Sequence, residues 1–279
     1  MSAYDESTIE IIRRALAEDV GAGDLTSNAL VAEDRIAQAS IIAREDLVVC
    51  GCDVAQATFS EVDGTIACDV AAGDGSSVGA GDVIINLNGP ARGILTAERT
   101  ALNFMQRLSG IATLTRAFVE KTEPHGVTIL DTRKTTPGLR ALEKQAVRSG
   151  GGTNHRMGLY DMIMIKDNHR HLWADGDLGQ AIMRAREASP GVEIEVEVET
   201  LASLESALAA SPDWVLLDNM DPDAMKACVA RVNGQCKVEA SGGITLENID
   251  AVARSGVDAV SLGCLTHSAP SVDLSLEIA

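Results

Sequence analysis

The segment LDTRKTTPGLR at residues 130–140 sets two adjacent cations, Arg133 and Lys134, directly after a short apolar run at 127–130, and Pro137-Gly138 breaks the backbone behind them. An apolar strand that delivers cations into a turn presents positive charge at the rim of a sheet. Across residues 131–170 eight Lys/Arg stand against four Asp/Glu, a charge of +4, which leaves −22 for the rest of a chain whose net charge is −18. His155, His169 and His171, three of the five histidines, lie in this stretch or beside it. A cationic island in an acidic protein is an anion site or a solvated basic loop, and charge alone leaves both open.

The elements that would position such a site are legible as a rhythm. Short buried-looking runs at 127–130, 162–165, 194–198, 214–217, 237–240 and 259–262 alternate with helical patterns at 178–188, 201–210, 222–232 and 246–255. Alternating β and α units of this spacing imply a parallel sheet, and six of them imply an α/β barrel, complete or open. In such barrels the chemistry sits at the C-terminal ends of the strands. Here those ends carry Thr132-Arg133-Lys134, then Lys166-Asp167-Asn168-His169, then Asp218-Asn219, Ser241-Gly242-Gly243 and Gly263. The third strand, IEVEV, places Glu195, Glu197 and Glu199 on one face by its two-residue period.

Arg133, Arg156 and Lys166 form a potential clamp for carboxylate or phosphate, with Arg suited to bidentate contact. The alternative for each is a salt bridge to an acidic neighbour. Ser241-Gly242-Gly243 after an apolar strand is a phosphate-cradling pattern, in which backbone N–H groups converge on an anion at a helix start, or else a tight βα turn. Its place on the penultimate strand matches the usual barrel phosphate site. Inward Glu197 beside Asp218 points to Mg²⁺ held through carboxylates and water. A buried ion pair of Glu197 with Lys134 or Lys166 is the competing reading. No Ser-His-Asp or Cys-His arrangement stands out, and no dinucleotide glycine fingerprint is present.

The first half reads as an α+β domain. A helix over 7–16 is followed by β-like runs at 37–43, 47–49, 65–70 and 83–87, with a helix at 54–61 between strands. A long helical pattern over 96–121 carries Leu102, Met105, Leu108, Ile111 and Leu114, with Thr96 as its cap and an interruption near Ser109-Gly110. This reading puts Arg99 in the first turn, against the dipole preference, where it is a surface arginine unless something anionic meets it.

Composition bounds the partners. Apolar residues are 46% of 279 and aromatics only 3%, so aliphatic side chains must fill the core. No run of about 18 apolar residues suggests a membrane span, and MSAYDESTIE lacks the regions of a signal peptide. A cytoplasmic location follows as the default. The six cysteines, at 50, 52, 68, 228, 236 and 264, are scattered and read as buried thiols in a reducing compartment. With 41 acidic residues against 23 basic ones, the surface disfavours nucleic acid.

Several stretches together resemble the quinolinate phosphoribosyltransferase family, the decarboxylating nicotinate-nucleotide pyrophosphorylases of de novo NAD synthesis. They are EDVGAGDLTS at 18–27, AERTALNFMQRLSGIATLT at 97–115, DTRKTTPGLR at 131–140 and GGTNHRMGLYDMIMIKDNH at 151–169, followed by EVEVET at 195–200, LLDNM at 216–220, EASGGIT at 239–245 and SLGCLTHSAPSVDLSL at 261–276. DTRKTTPG and the paired NHR and IKDNH are the specific motifs. The resemblance implies an N-terminal α/β sandwich over 1–108, completed by 269–279, and an open α/β barrel over 109–268. It implies a homodimer, or a hexamer built as a trimer of dimers, in which Arg99 is donated across the interface.

The reaction it implies is transfer of phosphoribosyl from phosphoribosyl pyrophosphate to quinolinate, with release of pyrophosphate and carbon dioxide. Arg99, Thr132, Arg133, Arg156 and Lys166 would hold quinolinate. Lys134 and His155 would contact the ribosyl phosphates, and Ser241, Gly242, Gly243 and Gly263 would cradle the 5′-phosphate. Lys134, Glu197 and Asp218 would be catalytic, the two carboxylates holding Mg²⁺. Two other readings are a paralogous pyrophosphorylase-like protein acting on another acceptor and a non-catalytic phosphate-ligand sensor. The complete set of four cations argues against the first, and Glu197 with Asp218 against the second.

The excess of carboxylates also predicts a habitat. Self-repulsion at −18 is screened in a high-salt cytoplasm. Thermal unfolding followed against salt should show stability rising with ionic strength; full stability in low salt would remove this reading.

Overall fold

The computed structural model describes residues 6–173 and 177–279, so residues 1–5, part of the segment in which no signal peptide was read, lie outside it. The chain divides into two compact units. The first comprises Met1–Arg116, Thr136–Gly151 and Ser268–Ala279, and the second Ala117–Thr135 and Gly152–His267. Thr136–Gly151 thus groups with the first unit, where the sequence had placed it in the barrel domain.

The first unit begins with α1 (Glu6–Val20) and α2 (Leu25–Leu30), the latter capped by Asp24, whose side chain accepts from Ser27 N–H. It continues with β1 (Ile36–Ala43), β2 (Leu47–Val48), α3 (Cys52–Val62), β3 (Ala67–Val70), β4 (Ser77–Val78) and β5 (Val83–Pro90). The helix α4 (Ala91–Thr122) follows, leaving the first unit at Arg116. A four-stranded antiparallel sheet runs in the order β12-β1-β5-β3, where β12 is Leu274–Ile278 from the far end of the chain. Ile41, Phe59, Ile84, Ile94, Leu102 and Met105 form its core with α3 and α4, filling it almost entirely with aliphatic side chains.

Two expectations about α4 fail. The helix starts at Ala91, so Thr96 does not cap it and Arg99 is its ninth residue, beyond reach of the terminal dipole. Nor does Ser109-Gly110 interrupt it. A Cβ at Gly110 would overlap the carbonyl oxygen of Pro270, so the glycine admits a crossing backbone and the helix continues through it. Around this point Arg107 Nη1 donates to Ala269 O at 2.9 Å and Gln106 Nε2 to Leu274 O at 3.1 Å, strapping the path into β12 against α4.

The first unit also holds α5 (Arg140–Ser149), a helix that the cationic pattern had concealed. Its Glu143 and Lys144 are buried, and Glu143 accepts from Arg107 and from the Thr136 N–H and hydroxyl. Arg140, Lys144 and Arg148 therefore belong to the first unit and Arg133, Lys134, Arg156, Lys166 and Arg170 to the second. The +4 island is divided between the two units.

The second unit is built on β6 (Thr128–Leu130), β7 (Ile163–Ile165), β8 (Ile194–Val198), β9 (Trp214–Asp218), β10 (Lys237–Ser241) and β11 (Ala259–Ser261). All pair in parallel, in the order β6-β11-β10-β9-β8-β7. Among the described residues, the one link missing from a closed ring is that between β6 and β7, and this is the open α/β barrel expected. The helices between strands are α6 (Asp167–Leu172), α7 (Leu178–Ala188), α8 (Leu201–Leu208), α9 (Pro222–Val232) and α10 (Ile249–Ala253), followed by the short α11 (Cys264–His267). Their N-caps explain several of the boundaries: Asp177, Thr200 and Asp221 each accept a backbone N–H of the first turn. No helix of the described residues is long and apolar enough to cross a membrane.

Candidate active site

The C-terminal ends of the six strands surround a cavity of about 730 Å³, within the range of small-molecule sites. Its wall includes Thr132, Arg133, Lys134, His155, Arg156 and Lys166, together with Glu197, Asp218, Ser241, Gly242, Gly243 and Gly263. Twelve of the thirteen residues singled out in the sequence thus line one cavity in one unit. The thirteenth, Arg99, is exposed on α4 in the first unit.

Arg133 and Arg156 carry the electrostatics. The Arg156 guanidinium donates to Met162 O at 3.0 Å. Burial holds its pKa below the ordinary arginine value, and the charge of Arg133 lowers it further. Two cations that disfavour one another in a cavity are stabilised together by an anion with two negative groups. Lys166 is paired with Glu197, so the ion pair proposed as the alternative for these residues is present. Lys134 is fixed through its backbone: its N–H donates to Thr132 Oγ1 at 3.0 Å, and its carbonyl accepts from Thr266 Oγ1 at 2.7 Å. A Cβ at Gly263 would press on Lys134 Cδ and the His267 ring, so only glycine leaves that lysine its path.

In the same wall Gly242 has φ +89 and Gly243 φ +64, both left-handed. A Cβ at Gly242 would overlap the Asn219 side chain. Asn219, itself at φ +53, donates its N–H to Ser241 O at 2.9 Å and its Nδ2 to Asp218 at 2.9 Å. The next helix begins only at Ile249, so the anion cradle expected at a helix start is instead a turn of left-handed residues. Consecutive backbone N–H groups in such turns converge on anions without help from a helix.

Glu197 is nearly buried on β8 and Asp218 half-buried at the end of β9, the neighbouring strand. Both are hard oxygen donors facing one cavity, which fits a hydrated Mg²⁺. Glu199, expected on the same face, lies past the strand and is exposed.

His155 departs from expectation. Its Nδ1 accepts from Arg156 N–H at 2.7 Å, and its Nε2 lies 3.0 Å from Glu195 and 3.3 Å from Glu239. An N–H aimed at Nδ1 requires a lone pair there, so Nε2 carries the proton and gives it to the carboxylates. Both nitrogens are engaged, and the ring has no N–H left for a ribosyl phosphate as had been expected. By distance, His155, Glu195 and Glu239 also form a group that could hold a metal. In this arrangement Nε2 gives its proton to the carboxylates, and a metal would have to displace it.

This cluster was missed from the sequence except for the inward face of Glu195. A signal existed: Glu239 is two residues from Ser241 on β10 and so shares its inward face. Asp131 was missed too. It is fully buried after β6 and accepts from His155 N–H at 2.9 Å and from the Asn154 amide.

The cluster holds protons tightly. Burial opposes a charge on His155, but the hydrogen bonds to Glu195 and Glu239 outweigh it and raise its pKa to about 10. Burial also raises Glu195, to about 7, with the charge of Glu239 adding to it. Since Nδ1 is already an acceptor, we place the surplus proton on Glu195. Burial pushes up the thiols of Cys50, Cys52, Cys68, Cys228, Cys236 and Cys264, of which Cys50, Cys52 and Cys228 are buried.

A proton bound more tightly in the folded state stabilises it at low pH, and the gain disappears as pH rises through the folded pKa values. Equilibrium unfolding should therefore show the Glu195 contribution complete below the ordinary carboxyl value of 4.5 and fading as pH rises through about 7. Glu195→Gln, which cannot ionise, should flatten that slope. An unchanged slope in the variant would refute the placement of the proton.

Comparison with known proteins agrees with this geometry. A family model described as quinolinate phosphoribosyl transferase, N-terminal domain, matches residues 24–109, and the corresponding C-terminal domain model matches residues 111–277. The chain is 44% identical over 270 residues to a Bacillus subtilis (strain 168) protein described as a probable nicotinate-nucleotide pyrophosphorylase (carboxylating), covering 96% of this chain and 92% of that one. It is 42% identical over 275 residues to the Mycobacterium leprae (strain TN) nicotinate-nucleotide pyrophosphorylase (carboxylating), covering 96% of each. The solved structure of the Francisella tularensis nicotinate-nucleotide pyrophosphorylase superposes with a TM-score of 0.94 at 38% identity, covering 100% of this chain and 98% of that one.

Proposed function

The chain belongs to the quinolinate phosphoribosyl transferase family, and from that premise we propose that it transfers phosphoribosyl from phosphoribosyl pyrophosphate to quinolinate, yielding nicotinate mononucleotide, pyrophosphate and carbon dioxide for NAD synthesis. The observation that carries this reading is a mutually repelling pair of arginines in the same cavity as a glycine turn suited to phosphate.

Quinolinate is a pyridine with adjacent carboxylates, a compact dianion. Arg133 and Arg156 meet its carboxylates, and Thr132 and Lys166 complete the set. Lys134 meets the phosphoribosyl donor, and the 5′-phosphate rests on Ser241, Gly242, Gly243 and Gly263. Glu197 and Asp218 would hold Mg²⁺, which when bound neutralises charge on the departing pyrophosphate. The same carboxylates face the ribosyl carbon as it becomes oxocarbenium-like and stabilise it electrostatically. The pyridine nitrogen attacks C1′ as pyrophosphate leaves; the positive pyridinium nitrogen then stabilises the electron pair left on the neighbouring ring carbon when its carboxylate departs as carbon dioxide, and that carbon takes a proton from water to give nicotinate mononucleotide. No general base is needed, which accords with the want of a catalytic triad.

A second copy of the chain supplies Arg99 in this reading, within a homodimer or a trimer of such dimers. Its exposure on α4, clear of the helix terminus, suits a residue given to a partner. A reducing cytoplasm suits the six thiols and is the location we assign.

Purified protein given quinolinate, phosphoribosyl pyrophosphate and Mg²⁺ should form nicotinate mononucleotide; no product at either low or high salt would sink the reading. Arg133→Ala should lose ~2–4 kcal/mol of transition-state stabilisation, read from kcat/KM. Mixing inactive Arg99→Ala with inactive Arg133→Ala should restore part of the activity, because mixed dimers hold one intact site; mixtures that stay inactive would exclude donation of Arg99 between copies.

A further inference from the structure

Within the second unit the β6–β7 segment consists of residues 131–135 and 152–162, and among the described residues the ring of strands lacks only the link between β6 and β7. Beyond one isolated bridge, Leu130 to Thr153, no sheet pairing holds it. It is pinned instead by side chains. Asp131, at the end of β6, accepts from His155 N–H and from the Asn154 amide. The His155 ring reaches the interior and donates Nε2–H to Glu195 of β8 and Glu239 of β10, two strands that β9 separates. Its Nδ1 turns back and accepts from Arg156 N–H at 2.7 Å.

The burial of this group matters. The His155 side chain is 7% exposed, and those of Glu195 and Glu239 are 0% and 2%. A buried acceptor pair with no ligand-binding task would be a poor use of a barrel interior, since apolar side chains would serve better there. The group does have a consequence, because the residue whose backbone it grips is Arg156. With that N–H fixed by the ring and one guanidinium nitrogen on Met162 O, Arg156 is held at both ends. Outer-shell partners of this kind orient the group that makes the contact.

We propose that His155, Glu195 and Glu239 are positioning residues that staple the β6–β7 segment across the barrel's open seam and thereby set Arg156 against the dicarboxylate acceptor, His155 itself giving no ring nitrogen to either substrate. The identity of that acceptor rests on the function proposed above. The arrangement assigns the two glutamates distinct roles from Glu197 and Asp218, since they act through the ring and not on the donor.

The test separates the two substrates. In full-length protein, checked for folding by thermal unfolding, Glu239→Ala and His155→Gln should each raise KM for quinolinate about tenfold or more, the scale of one buried hydrogen bond lost. KM for phosphoribosyl pyrophosphate should move by less than about twofold, since phosphate contacts are not part of the staple. Glu239→Gln, whose amide oxygen still accepts from Nε2–H, should recover most of what Glu239→Ala loses. In an Arg156→Ala background Glu239→Ala should add little, because residues acting through one another are not additive. A rise in KM for phosphoribosyl pyrophosphate with quinolinate unaffected, a Gln variant as impaired as the Ala variant, or additive losses would each overturn the proposal.

One readout needs neither substrate nor variant. Nitrogen NMR of the wild-type ring should find His155 protonated at Nε2 and bare at Nδ1, and a protonated Nδ1 would overturn the staple even if the variants fail to fold. A wild-type protein that makes no nicotinate mononucleotide yet shows this tautomer refutes the proposed reaction and leaves the staple standing.

Discussion

A charge inside a parallel barrel is far from water, so it must meet a counter-charge, a hydrogen-bond donor or a ligand. The second unit answers this constraint in three ways. Glu197 meets Lys166, Glu195 and Glu239 converge on an imidazole N–H, and Asp131 takes the donors of the segment that bridges the seam. Arg133 and Arg156 line the same cavity, where the charge of Arg133 disfavours that of Arg156. Glu195 and Glu239 each keep one buried oxygen without a hydrogen-bond partner, so their pairing is partial, while two cations line the same cavity, an arrangement that suits an anion.

Much of this was legible in the sequence because it follows from periodicity. The apolar runs and their polar endings located the strands of the barrel and ten residues of its cavity, to which the clamp and the family resemblance added Arg156 and His155, and β8, α7 and α9 have the predicted limits. What was not legible has local physical causes. The helix α5 was hidden because RALEKQAVRS reads as surface charge, yet Glu143 and Lys144 are buried, so its polarity marks an interior network and not a solvated face. The start of α4 was misplaced because Thr96 is a good cap in the wrong place. Gly110 was read as a break when it serves a close approach, a distinction that only the crossing chain at Pro270 reveals.

His155 illustrates the limit at the site itself. Sequence places a histidine beside an arginine, and the family resemblance implied direct contact of that histidine with phosphate. Which nitrogen is free depends on Glu195 and Glu239, forty and eighty-four positions further along, and on the turn that brings Arg156 N–H back to the ring. The types of these residues are readable one by one, but their convergence is a property of the closed interior.

The edge strand β12 has a consequence of another kind. Its pairing with β1 joins residues 274–278 to residues 39–43 in a single antiparallel ladder. A chain emerging from the ribosome displays β1, β3 and β5 long before the strand that covers the edge of β1 exists. Contacts so distant in sequence form slowly, and an uncovered strand edge in the interval is open to pairing with other chains. During synthesis the unit that begins the protein is therefore also the one that is finished last.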